Sequence, residues 1–276
     1  MPAINSISPE KLLKLVGTPG GPAIIDVRTA EDFAANARLV PGAVRRDFAT
    51  VAAWGPAFAG QNAVVVCQKG QKLSEGVAAW LRQTGVDAEV LDGGALGWEA
   101  AGYPMVPDTA LPPRDVQGRT VWVTRARPKV DRIACPWLIR RFVDPAAVFL
   151  FVSPAEVSGV AERFGATPFD VEGVRWSHDG DRCTFDVMVE AFGLATLPAL
   201  AHLATIVRGA DTARPDIVPE AAGLLAMSLG LSRMYADDLA QLDAGMLVYD
   251  AFYRWCRDAR GETHDWTAHK ARGDRS

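Results

Sequence analysis

The residues with the plainest capacity for chemistry lie in the stretch AVVVCQKGQKLSEGVAAWL, residues 63–81. Cys67 follows an apolar run and opens a glycine-centred, lysine-bearing loop. Gly70 permits the backbone angles at which successive N–H groups turn inward as an anion nest. A helix beginning near Ser74 would add the positive end of its dipole, and Lys69 and Lys72 add mobile positive charge. All three would lower the thiol pKa and hold a charged adduct on the sulfur. A cysteine after a strand is otherwise a small buried hydrophobe, so it is the loop that argues for a working thiol.

The flanking elements decide where that thiol would sit. PAIIDV (22–27), AVVVC (63–67) and AEVLDGG (88–94) read as buried strands. TAEDFAANA (29–37) carries a Thr cap with acids in its first turn, and SEGVAAWLRQTG (74–85) is an amphipathic helix stopping at Gly85. Strands alternating with helices predict an α/β fold, a parallel sheet with helices on both faces. Ligands of such sheets bind beyond the carboxyl ends of the strands, and Cys67 stands at one.

Composition bounds the rest. A chain of 276 residues accommodates two domains. A 49% hydrophobic share beside 22% charged residues predicts a globular protein, and a net charge of −4 argues against a general nucleic-acid or membrane-surface binder. No apolar run approaches the roughly 18 residues of a membrane span, and MPAINSISPE lacks the features of a signal peptide. Four cysteines (67, 135, 183 and 256) without a C-x-x-C pair predict neither a disulfide framework nor a thiolate zinc cage, so a cytoplasmic location is expected. PDTALPPRDVQG (107–118) reads as a proline-stiffened linker between a domain at 1–106 and another at 119–260, with a flexible tail at 261–276.

The second region reads as a mainly helical α+β domain. A strand (120–124), a basic turn, a helix and a second strand fill 118–152, with Asp131 as a helix N-cap and Cys135 in the core. Arg125, Arg127, Lys129 and Arg132 precede or open that helix. They are either a solvated face or an oxyanion site. Farther on, Asp186 and Glu190 stack at i and i+4 on a helix whose other face holds Phe185, Met188, Val189 and Phe192. With His178 and Asp211 they are candidate ligands of a divalent metal, although no spacing matches a strong ligand motif. Solvated acids beside a satisfied histidine are the alternative. Residues 219–258 predict two further helices, the second long.

AIIDVRTAEDF, VPGAV, VVVCQKGQK and VLDGGALGWEAAGYP occur in an order that resembles the rhodanese domain, a sulfurtransferase module. The resemblance implies a persulfide carrier at Cys67, a cradle formed by Gln68, Lys69, Gly70, Gln71, Lys72 and Leu73, and no cofactor. It implies sulfur passing from thiosulfate or a similar donor to a thiol acceptor. Asp26 and Arg28 match the family's D-x-R and are expected to tie the first strand to the segment near Asp47; Trp98 is expected in the core. The chain departs from the family in lacking a histidine before Pro41-Gly42 and a loop arginine, and in a loop of seven residues ending at Leu73. That length is similar to phosphatase and arsenate-reductase relatives, which implies oxyanion chemistry as an alternative. VWVTRARPKVDRIACPWLIRRFVDPAAVFLFV, SHDGDRCTFDVMVEAFGL, LAHLATIVRGADT and MLVYDAFYRW resemble the C-terminal domain of ChrB-type chromate-resistance proteins. This implies a chromate-like oxyanion as a ligand, and a sensor or regulator without turnover as a further alternative. With no helix-turn-helix pattern, a nucleic-acid partner is not expected.

Overall fold

The computed structural model describes residues 5–262. The tail expected at 261–276 lies, from residue 263 on, outside the described residues. The first half runs β1 (Ser6–Ile7), α1 (Pro9–Leu15), β2 (Ala23–Asp26), α2 (Ala30–Ala35), β3 (Arg38–Leu39), β4 (Ala43–Arg45), α3 (Val51–Trp54), β5 (Asn62–Val66), α4 (Lys72–Gln83), β6 (Asp87–Leu91), α5 (Gly94–Ala100) and β7 (Val106–Pro107). Five strands form one sheet in the order β1-β6-β5-β2-β4, every pair parallel. Alternation along β5 sends Val64 and Val66 to one face and Ala63, Val65 and Cys67 to the other. Val77, Ala78 and Leu81 of α4 cover the second face, while Leu12 of α1 and Trp98 of α5 cover the first. The expected helices on both faces are present, and a strand buried on both sides accounts for the unbroken apolar run.

The second half runs β8 (Val121–Arg125), α6 (Asp131–Phe142), β9 (Val148–Val152), α7 (Val157–Phe164), β10 (Thr167–Pro168), α8 (Thr184–Ala191), α9 (Pro198–Asp211), α10 (Glu220–Met234) and α11 (Asp238–Asp258). Its small sheet, ordered β10-β8-β9, is parallel throughout. α7 packs on one face through Val157, and α6, α8, α9 and α11 assemble over the other around Trp122, Trp137 and Phe185. This is the mainly helical α+β arrangement expected.

The segment 107–118 does not separate the halves as a linker should. Val106 and Pro107 pair antiparallel with β3, Ala110 is buried, and Arg114 bridges back to Thr120 and the buried Asp144. One apolar cluster holds Leu12, Phe33 and Trp98 from the first half together with Trp122, Phe142 and Phe185 from the second. At the seam Gly42 N–H donates to the Phe142 carbonyl at 2.6 Å. The Phe142 ring lies so close to Gly17 that a Cβ there would stand 2.2 Å from it. Proline and polar residues mark a loop, but they do not report what packs beneath it. No helix of the described residues is long and apolar enough to cross a membrane.

Candidate functional site

Cys67 follows the carboxyl end of β5, and its loop is held from beneath by the start of α5. Ala95 N–H donates to the Cys67 carbonyl at 2.9 Å and Leu96 N–H to that of Gln68 at 3.1 Å. Gly94 (φ +60°) makes this approach possible, since a Cβ there would lie 2.2 Å from the Cys67 carbonyl oxygen. Gly70 (φ +67°) is equally confined, with Leu91 O 2.4 Å from where its Cβ would stand. The DGG run therefore fixes the loop, and Trp98 anchors α5 in the core through an Nε1–H donated to Pro104 O at 2.8 Å.

The thiol sits in a polar pocket of its own chain. Gln71 N–H donates to Sγ at 3.4 Å, and the buried Ser74 Oγ lies 3.1 Å away. Burial alone would push the Cys67 pKa up; hydrogen bonding from Ser74 and from the N–H groups of Gln71, Ser74 and Lys69 overcomes it and brings the pKa below the ordinary thiol value. The other three cysteines are buried too, and each is pushed up by that burial, Cys256 to about 11. Only Cys67 has hydrogen bonds sufficient to favour its thiolate.

The expected cradle is built by backbone more than by side chains. α4 starts at Lys72, two residues before Ser74, so Leu73 lies in the helix and packs half-buried on the cluster that contains Cys67. Lys69 and Lys72 are exposed, and Gln68 holds a buried Oε1 with no partner among the described residues. Asp26 and Arg28 form a buried ion pair, as their structural role requires. They tie the first strand to the segment just before Asp47: the Asp26 carbonyl accepts from Arg46 N–H at 2.9 Å and the Arg28 carbonyl from the Arg45 guanidinium at 3.2 Å, while the Arg28 side chain also reaches the carbonyls of Asn36 and Arg38. A cavity of about 350 Å³ between the halves, lined by Gly17, Ala23, Pro41 and Arg141, is not part of this site. It lies at the amino end of β2, and the strands being parallel, Cys67 is at the other end.

The second-half candidates come together only in part. His178 Nε2 lies 3.1 Å from Asp211 Oδ2, 3.5 Å from Asp170 Oδ1 and 3.6 Å from Asp131 Oδ2. Asp186 and Glu190 are elsewhere: Asp186 accepts from Cys183 N–H and pairs with Arg208, and Glu190 is exposed and paired with Arg182. An i,i+4 pair projects from one helix face, and α8 turns its apolar face inward, leaving Glu190 on the rim. Sequence reasoning missed Asp170 entirely and took Asp131 for a cap. Asp131 is instead the first residue of α6, fully buried, with Val130 at the cap position. Burial first, then the charges of Asp211 and Asp170, hold the Asp131 carboxyl well above its usual range.

Arg125, Lys129 and Arg132 line the same cavity of about 320 Å³ as Asp170, His178 and Asp211. Arg125 and Arg132 each stand 3.3 Å from Asp170 Oδ2. Arg127 does not join them, since its guanidinium donates to the carbonyls of Ser232, Tyr235 and Ala236 at the end of α10. Arg127, Val130 and Asp170 all hold left-handed backbone angles, a strain that tends to collect where a site over-determines its loops.

Comparison with known proteins agrees with this division. The rhodanese-like domain family matches residues 8–101, and the C-terminal domain of ChrB matches residues 122–256. Protein ChrB of Cupriavidus metallidurans is 38% identical over 141 residues, a match covering 51% of this chain and 42% of that protein. The chain thus spans about two fifths of the length of this curated relative. Among solved structures, thiosulfate sulfurtransferase from Pseudomonas aeruginosa is 26% identical, covering 38% of this chain and 20% of that one, with a TM-score of 0.34. A rhodanese-like domain protein from Staphylococcus aureus is 27% identical, covering 34% and 91% respectively, with a TM-score of 0.31. Residues 8–101 are a rhodanese-like domain, and residues 122–256, packed against it through a shared core, are a ChrB C-terminal domain.

Proposed function

We propose that the protein is a sulfurtransferase in which Cys67 carries a persulfide, serving resistance to chromate or a related oxyanion in the cytoplasm. The Cys67 thiolate attacks the outer sulfur of thiosulfate; a new S–S bond forms, the old one breaks, and sulfite leaves with its electron pair. An acceptor thiolate then attacks the terminal sulfur of the resulting persulfide, which becomes the acceptor's persulfide while Cys67 leaves as thiolate. Neither step changes the total charge or needs a further reductant or cofactor. The observation that carries this reading is the convergence of N–H groups and Ser74 on one sulfur, which favours its anion and would favour the terminal anion of its adduct. The absence of an arginine from the loop weighs against the phosphatase-like alternative, because a lysine lacks the forked geometry that matches a tetrahedral oxyanion.

Oxyanion sensing by the second half is favoured by one observation, the shared cavity of Arg125, Lys129 and Arg132. The test is thiocyanate release from thiosulfate and cyanide, beside intact-mass detection of an added sulfur, in the wild type and in Cys67→Ser. Turnover and adduct, both lost in the variant, are expected. Neither appearing in the wild type would overturn sulfur transfer and leave sensing as the better reading.

A further inference from the structure

The cluster at His178 lies far from the chemistry of Cys67 in sequence and uses different side chains. Its atoms have the spacing of ligands around one ion. Donors bound to a metal at about 2.1 Å lie roughly 3.0–3.4 Å from each other in tetrahedral or octahedral geometry. The distances of 3.1, 3.5 and 3.6 Å from His178 Nε2 to three carboxylates fall at or just beyond that range. Asp131, Asp170 and His178 can each offer one donor with all three within 4.8 Å.

Asp131 supplies an independent sign. Its side chain is fully buried, and its Oδ1 has no hydrogen-bond partner among the described residues. A buried carboxylate oxygen without a partner costs on the order of 1–3 kcal/mol or more, so it calls for a ligand. The two carboxylate oxygens of Asp131 and Asp170 that face His178 are also held by the protein: Asp131 Oδ2 accepts from Phe185 N–H at 3.3 Å, and Asp170 Oδ1 from Thr184 Oγ1 at 2.9 Å. Such supporting bonds orient metal ligands in known sites.

Charge counting then fixes what the ion would need on its open side. As metal ligands the three carboxylates would carry three negative charges and the imidazole none, and the guanidiniums of Arg125 and Arg132 offset two of them, leaving one net negative charge. A dication reverses this to one positive charge, and Lys129 on the cavity wall makes it two. We propose that Asp131, Asp170, His178 and Asp211 bind one divalent transition-metal ion, and that the ion takes a divalent oxyanion as its outer ligand against Arg125, Lys129 and Arg132. One imidazole among carboxylates suits Mn²⁺, Fe²⁺ or Zn²⁺ better than Mg²⁺ or Ca²⁺.

The full chain, stripped with EDTA and dialysed, is titrated with MnCl₂, and free Mn²⁺ is read from its six-line electron paramagnetic resonance signal. One ion per chain is expected. His178→Ala, whose side chain is 41% exposed and so safe to remove, weakens binding by at least about tenfold. Asp211→Asn does the same, and Glu190→Gln has no effect; circular dichroism confirms that each variant is folded. Sulfate, used as the oxyanion probe, tightens Mn²⁺ binding in the wild type and not in Lys129→Ala. Absence of stoichiometric binding in the wild type, or equal binding in folded His178→Ala, overturns the metal site. Equal affinity with and without sulfate overturns the oxyanion ligand.

Discussion

Gly94→Ala tests whether the Cys67 loop is held in place from below. The added Cβ would stand 2.2 Å from the Cys67 carbonyl oxygen and 2.5 Å from Gly70 N, both backbone atoms with no rotamer to yield. Relief to an ordinary contact of about 3.2 Å moves the loop by roughly 1 Å. That displacement breaks or stretches the bonds from Ala95 and Leu96 to the carbonyls of Cys67 and Gln68. Two hydrogen bonds at about 1 kcal/mol each, with about 1 kcal/mol for a left-handed alanine, predict a loss of about 3 kcal/mol. Urea unfolding followed by circular dichroism measures that loss. Reactivity should fall further than stability, since a shift of about 1 Å in a positioned group can cost about a hundredfold. Iodoacetamide labelling of Cys67, timed by intact mass under native conditions, reads this without assuming any substrate. Gly76→Ala is the control, because that helical position has open space around it and should gain about 0.5–1 kcal/mol. Gly94→Ala within 0.5 kcal/mol of wild type and labelled at the wild-type rate would refute the buttress.

Two other predictions concern neighbouring parts of the same argument. Ser74→Ala removes the hydroxyl beside Sγ, so the pH midpoint of Cys67 alkylation moves up toward that of an ordinary thiol. A hydrogen bond to a charged group is worth about 1.5–3 kcal/mol, so labelling at pH 7 should slow by on the order of tenfold; an unchanged pH profile would show that the backbone N–H groups suffice. Phe142→Ala empties the seam between the halves and should cost about 3–5 kcal/mol in one cooperative unfolding transition; a small loss confined to one of two transitions would contradict a shared core.

Much of the first half is legible because its signals are local. An apolar run ending at Cys67, a glycine loop and an amphipathic helix impose strand, turn and helix on adjacent residues, and parallel strands leave the thiol at a carboxyl end whatever lies elsewhere. The sequence points to a helix start near Ser74, two residues late, because neither Lys72 nor Leu73 is a capping residue type, and it places in the cradle a Leu73 that the fold packs on the core. The packing of the segment 107–118 is illegible for a different reason. Prolines at 112 and 113 do report a break in regular structure, but the burial of Ala110 depends on β3 and on residues distant in sequence.

The sequence by itself determined the order of elements, the α/β and mainly helical halves, and the thiol that its surroundings activate. Each of these follows from residues within a few positions of one another. Tertiary structure alone decided the membership of the second cluster. Asp131, Asp170, His178 and Asp211 come from the start of α6, the segment after β10, the loop before α8 and the end of α9. They meet because Trp122, Trp137 and Phe185 draw those elements around one core. Helical spacing joined Asp186 to Glu190 on paper, yet the apolar face of α8 is what had to be buried, and burying it turned Glu190 to solvent. Local periodicity states which face goes inward; only the packed chain states which distant carboxylates that face brings together.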